Sequence, residues 1–380
     1  MTSASRPSVV ASATLVSRRP PVRRATLLLG GIALVLGVYT GLARGGIDHR
    51  FVAADLHAVL MVFGFLGTAF AVDRAAEVDR RWAGLAPVSS AASVLALPVV
   101  RPVGGALLVL AGGLLAATYL SGDAGQDRTT ADILGLLGAL AWVAAAALWL
   151  LGAGPIRITP LLAVFLVLTL VRTQAARDQR GDGQVVLGGT VLGGAVLFSV
   201  GAVTALGWRS SGLVLAGSGL VALATALAPL ARRRLAGARG GAQRFESICA
   251  ALATGWLAAS GLLWIAVGAG ASGALVHDAV VHSLFLGAVF THVMGLTPAL
   301  LPALVRVPAA FTRSAWLPVA VLQVSVLARI GADLAGSASW REIALHGNVG
   351  SLLLFLFLAG AGLRRARRLA RRKTTAPEVS

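Results

Sequence analysis

Runs of apolar residues, each about twenty long, alternate with short polar segments along almost the whole chain. Twelve runs can be marked, near 25–43, 51–72, 83–100, 103–120, 131–153, 156–171, 184–206, 209–230, 246–268, 276–304, 311–332 and 343–362. Each is about long enough for a helix to cross ~30 Å of hydrocarbon. The third and sixth carry the weakest signal. The tenth overruns, and Pro298 and Pro302 should break or kink it near its end. The pattern predicts an all-α, polytopic helical bundle of about twelve transmembrane helices.

Composition agrees with that reading. Hydrophobic residues make up 57% of the chain and charged residues only 13%, about half the charge of a soluble domain. Abundant Gly and Ala let helices approach closely in lipid. The pair Gly189 and Gly193 on the seventh run is read in that way, as close packing. Cys249, the only cysteine, can build no disulfide framework, Cys-ligated zinc site or iron–sulfur cluster.

The net charge of +18 could suggest nucleic acid, but the arginines flank apolar runs and form no aromatic-interleaved patch. They report topology instead. With twelve spans and a cytoplasmic start, 26 of the 33 Lys and Arg fall on the inside and 7 on the outside, as the positive-inside rule expects. The basic stretch Arg18–Arg24 before the first run is like a signal sequence. That run, Ala25 to about Ala43, is too long for a signal core and has no clear cleavage site, so it is read as a retained span. Residues 1–24 are expected to be a disordered basic cytoplasmic segment, 25–362 one transmembrane domain, and 363–380 a basic cytoplasmic tail.

Histidine supplies the candidate chemistry. Ionisable groups within a bilayer are costly and usually functional. In the predicted topology His57, His282 and His346 each lie a turn or two inside the outward end of a different span. Span two enters at Phe51, which puts His57 ~9 Å deep at 1.5 Å per residue. His57, Met61, Gly64 and Thr68 share one helical stripe, where a glycine beside a histidine would leave room for a flat macrocycle. Asp278, one turn before His282, could accept the ring's second N–H and fix its tautomer. Each histidine could instead bond a neighbouring helix's backbone, and for His346 and His292 that plainer reading is preferred. His49 and His277 carry little signal.

The segment His57-Ala58-x-x-Met61-x-Phe63-Gly64-Phe65 resembles the second-helix motif of the NnrS family of twelve-helix bacterial membrane proteins. His282-x4-Gly287-Ala288 resembles that family's later histidine helix, and Ala328-Arg329-Ile330 its following arginine. Both are distantly similar to the catalytic subunit of haem-copper oxidases. The resemblance implies a haem-copper-oxidase-like architecture and a b-type haem ligated by His57 and His282. It also implies Arg329 toward a propionate and a role in nitric oxide or respiratory stress. It covers about a quarter of the chain. Where NnrS proteins carry a second His and a Glu, this chain has Val59 and Leu60. Residues 156–206 hold none of the histidines that would bind copper, so neither copper nor a complete terminal oxidase is expected.

Two other readings stay open. A transporter normally carries charge at mid-membrane, whereas Asp55, Asp132, Asp278 and Asp333 fall near helix ends; a small neutral solute or a metal would need no central carboxylate. A non-catalytic assembly protein is the third. The expected partners are the lipid bilayer and a redox or respiratory membrane protein. The Arg329 guanidinium, costly at that depth, is expected to pair either with Asp333, one turn on, or with the propionate.

Overall fold

The computed structural model describes residues 20–44, 54–78, 80–121, 129–178, 188–271, 274–305 and 311–375. They form twelve helical segments: α1 (Pro20–Arg44), α2 (54–77), α3 (Leu85–Ala96), α4 (Arg101–Leu120), α5 (Thr130–Leu150), α6 (Pro155–Asp178), α7 (Gly189–Thr204), α8 (Arg209–Gly237), α9 (Gly241–Gly268), α10 (274–305), α11 (Trp316–Ala335) and α12 (Ala338–Thr375). Ten are long and apolar enough to cross a membrane. The exceptions are α3, of 12 residues, and α7, of 16. Among the described residues there is no strand.

Several boundaries differ from expectation. The third run yields a helix of only ~18 Å, because residues 81–84 are a tight 3₁₀ turn and the chain turns again after Ala96. The sixth run is no weak span: α6 extends 24 residues, past Arg172 to Asp178. Helix continues without a break through Pro298 and Pro302 to Val305, where a break or kink was expected. α1 starts at Pro20, inside the segment read as disordered, and α12 continues well beyond 362 to Thr375. Residues 1–19 and 376–380 lie outside the described residues.

Chain neighbours pack against each other around the bundle, while α1 touches α3 and α5 touches α7 directly. Every fourth helix, counting from the second, thus turns inward. α2, α6 and α10 touch one another pairwise. Their apolar windows are 67%, 83% and 78% buried, against 22–50% for the other seven long spans. The bundle is three successive groups of four helices, each giving its second member to the centre.

Small residues make this density attainable. At the α8–α9 crossing, a Cβ on Gly217 would lie 2.5 Å from the Gly261 carbonyl oxygen, and one on Gly261 2.7 Å from that of Gly217. Neither site admits a side chain. By contrast Gly189 and Gly193 face open space, so the expected packing role of that pair is wrong. Under the α2 face, Trp142 stacks on Phe63 with centroids 5.2 Å apart, and its Nε1–H donates to the Leu108 carbonyl at 3.0 Å. That bond satisfies the indole inside the apolar core.

Candidate functional site

Two of the three central helices change geometry beside a histidine. α2 is α-helical over His57–Val59 and then π-helical over Leu60–Gly67. α10 is α-helical to His282 and π-helical over Ser283–Phe290. π-helix is rare and concentrates at functional sites, because its wider turn leaves carbonyls and side chains out of the usual register. α6 carries no such segment.

Both imidazoles are oriented through Nδ1. In α2, His57 Nδ1–H donates to the Gly37 carbonyl of α1 at 2.7 Å. The ring lies against Gly41, where a Cβ would meet its Cε1 at 2.8 Å. In α10, His282 Nδ1–H donates to the Asp278 carbonyl at 2.9 Å, with the Asp278 carboxylate Oδ1 at 3.2 Å. A carbonyl can only accept, so each bond puts a proton on Nδ1, and a neutral ring then carries its lone pair on Nε2. His282 is half-buried, with 18% of its side chain exposed.

The charged neighbours of His282 form a chain across three helices. Arg329 of α11, buried, donates from Nε to Asp278 Oδ2 at 2.8 Å, with Nη2 also 2.8 Å from that oxygen. Arg329 therefore does not have Asp333 as its acid partner. Asp333 lies beside Arg341 of α12 instead, Nε to Oδ1 3.2 Å. The cause is reach across the α10–α11 contact, which offers a carboxylate to the guanidinium better than the next turn of its own helix does.

Other expected site residues point elsewhere. The stripe His57–Met61–Gly64–Thr68 packs on α1 and α3. Met61 lies against Gly37, a Cβ on Gly64 would sit 2.9 Å from Ala33 and 3.2 Å from Val94, and Thr68 donates to Ser90 at 2.9 Å. The room expected at Gly64 is filled by helix packing. His346 is exposed on α12, its Nδ1 bonded to the Glu342 carbonyl of the preceding turn at 2.8 Å. α2 and α10 meet lower down, where Phe65 and Phe290 stack with centroids 6.1 Å apart. His49 lies outside the described residues.

His292 is buried at a small pocket between α6, α8, α9 and α10, with Gln174 and Thr254 in its wall. The space there accommodates about two waters.

A second polar cluster went unforeseen. At the other end of the bundle, Arg172 of α6 pairs with Glu77 of α2, which Arg74 also reaches at 3.1 Å. Arg74 lies 3.5 Å from Asp132 of α5 and donates to the Thr118 hydroxyl and carbonyl of α4. The guanidiniums of Arg74 and Arg172 stand 4.2 and 5.3 Å from the Tyr119 ring centroid. In the sequence Arg172 looks like the charge that ends a span; only the folded contacts show it to be 4% exposed.

Among the described residues, no three His, Cys, Asp or Glu side chains group closely enough to hold a metal ion by themselves. A haem needs only an axial pair. His57 and His282 each present a ring oriented by a carbonyl, the first against α1 and the second beside Asp278, and the Gly64 face is filled by packing. The chain belongs to the family described as a domain of unknown function, DUF8744, whose model matches residues 23–362. Neither a curated protein nor a solved structure matches it.

Proposed function

We propose that this is a twelve-helix integral protein of a bacterial plasma membrane that binds a b-type haem through His57 and His282. One observation carries the reading: on two of the three central helices, a histidine with its Nδ1–H donated to a backbone carbonyl stands at the head of a π-helical segment. Metal-bound histidines are usually held in this way. The haem-copper-oxidase-like arrangement is supported by the inward turn of every fourth helix. Both ends of the chain are assigned to the cytoplasm from the arginine asymmetry.

A bound haem would supply one-electron redox chemistry or a site for a small gas. The chain's own groups do the positioning. Gly37 and Asp278 hold the rings, Arg329 holds Asp278, and the packed apolar interior excludes water. A part in nitric oxide or respiratory stress rests on the resemblance of the histidine motifs alone.

The test is an optical spectrum of the purified protein, oxidised and reduced, with the haem typed and counted. The expected result is about one b-type haem per chain, lost in His57→Ala and in His282→Ala and kept in His346→Ala. A colourless wild-type protein reconstituted with haemin without spectral change would sink the proposal.

A further inference from the structure

A cleft opens between α9, α10, α11 and α12 at the end of the bundle opposite the two histidines. Its walls include Phe245, Met294, Phe311, Pro318, Phe355 and Leu358, around a cavity of ≈ 70 Å³ that is partly open to the surroundings. That is narrow against the roughly 300–1,000 Å³ of drug-sized sites and suits one thin, flexible chain at an open face. The walls offer little to a polar guest. The Thr297 hydroxyl donates to the Val293 carbonyl at 2.8 Å, and the Thr312 hydroxyl is 2.9 Å from that of Ser314. A Cβ on Gly362, in the wall, would meet nothing within 4 Å.

The rim has the opposite character. Phe245, Thr312 and Leu363 line the cleft, and each is followed or preceded in the chain by an exposed arginine: Arg244, Arg313 and Arg364. Among the described residues, none of the three has a carboxylate within 4.0 Å. Glu246 is the one acid adjacent in sequence to a lining residue. An apolar slot with exposed cations next in the chain to three of its lining residues matches an amphiphile with a hydrocarbon body and an anionic head.

We propose that this cleft is a binding site for an anionic glycerophospholipid of the inner leaflet, one acyl chain in the slot and the phosphodiester among Arg244, Arg313 and Arg364. The depth selects this occupant over an isoprenoid quinone delivering electrons to the histidine pair. Thr297 is 15 residues beyond His282 on α10, ~22 Å along the axis. Basic pockets between spanning helices on the cytoplasmic side are the usual holders of such headgroups. The proposal is independent of haem binding.

Full-length protein in a mild detergent would be stripped of lipid and analysed by native mass spectrometry with phosphatidylglycerol or phosphatidylcholine added. Phosphatidylglycerol adducts should survive at collision energies that remove phosphatidylcholine. The triple variant Arg244→Gln, Arg313→Gln, Arg364→Gln should weaken that retention at least tenfold, as several contacts near ~1 kcal/mol each require. Gly362→Leu, which fills the slot and leaves the rim intact, should weaken it too. Equal retention of the two lipids would overturn the proposal, as would unchanged retention in both variants. So would extraction of a quinone that competes with phosphatidylglycerol.

Discussion

The Arg329 guanidinium on α11 and the Asp278 carboxylate on α10 form a cross-helix pair, with Nε and Nη2 both 2.8 Å from Oδ2. The other oxygen of the same carboxylate faces His282 Nδ1 at 3.2 Å. Asp278 thus joins a buried cation to a candidate ligand ring. Asp278→Ala would strand Arg329, at a cost of about 3–5 kcal/mol for a broken buried pair. It would also remove the carboxylate beside the ring while leaving the backbone carbonyl to accept from His282 Nδ1, and should weaken haem affinity by about 10-fold, the low end of losses for an outer partner of a ligand. Thermal unfolding and a haem titration measure the two effects separately. Asp333→Ala should leave haem affinity unchanged; an equal loss there would remove the special standing of Asp278.

A second expectation concerns α1. In Gly41→Ala the new methyl must displace the His57 ring, whose Cε1 lies 2.8 Å from the Cβ position. Overpacking of this kind costs about 1–3 kcal/mol, and the displaced ring should bind haem less tightly. Gly31→Ala, into open space on the same helix, should leave haem content unchanged and raise stability slightly, by about 0.5–1 kcal/mol. Normal haem content in Gly41→Ala would mean that the ring is not held where ligation needs it.

At the opposite end, Arg172 ties α6 to α2 through Glu77. Arg172→Ala should destabilise the protein by about 3 kcal/mol, since it removes one partner of a buried pair. Glu77→Gln should cost at least as much, because it leaves the buried Arg172 guanidinium without its carboxylate, whereas in Arg172→Ala the part-exposed Glu77 keeps Arg74 and water. A double-mutant cycle measured by thermal unfolding should show coupling between the two positions. Strictly additive losses would reduce the pair to a coincidence of packing.

Orientation can be read with thiol reagents, since Cys249 is fully buried. In a Cys249→Ala background, Ala271→Cys at the end of α9 should react with an impermeant maleimide added outside intact cells. Arg239→Cys, between α8 and α9, should react only after lysis. The reverse pattern would invert the membrane and place the two histidines at the cytoplasmic end.

Helix number was legible because apolar runs alternate with short polar breaks, although α3 and α7 fall short of the ~30 Å of a span. Helix faces were not. α2 is apolar all round, so nothing in its sequence says that the His57–Gly64 stripe meets α1 and α3 while Phe65 turns to α10. The spacing Gly37-x3-Gly41 was as visible as Gly189-x3-Gly193, yet only the first takes a neighbour's side chain. Small residues permit an approach without naming the partner. The central place of α6 was hidden by Arg157, Pro160 and Arg172, which interrupt its apolar run. Pro160 is the sixth residue of the helix and forgoes one intrahelical bond, and Arg172 takes its acid, Glu77, from α2. No composition signal marks a π-helical segment in advance.

The inward turn of every fourth helix also sets an order of events during biogenesis. His57 emerges with the second helix, but its proposed counterpart comes 225 residues later. At about 5–20 residues per second that interval lasts roughly 10–45 s. Throughout it α2 lacks one of the two helices it will meet at the centre, and the nascent chain must hold its place within the insertion machinery. A ribosome stalled before α10 would leave a half-built bundle with one histidine and nothing opposite it. Under the proposed haem reading, loading would be a step for the finished chain, and a quality-control protease could tell complete molecules from aborted ones by whether the centre has closed.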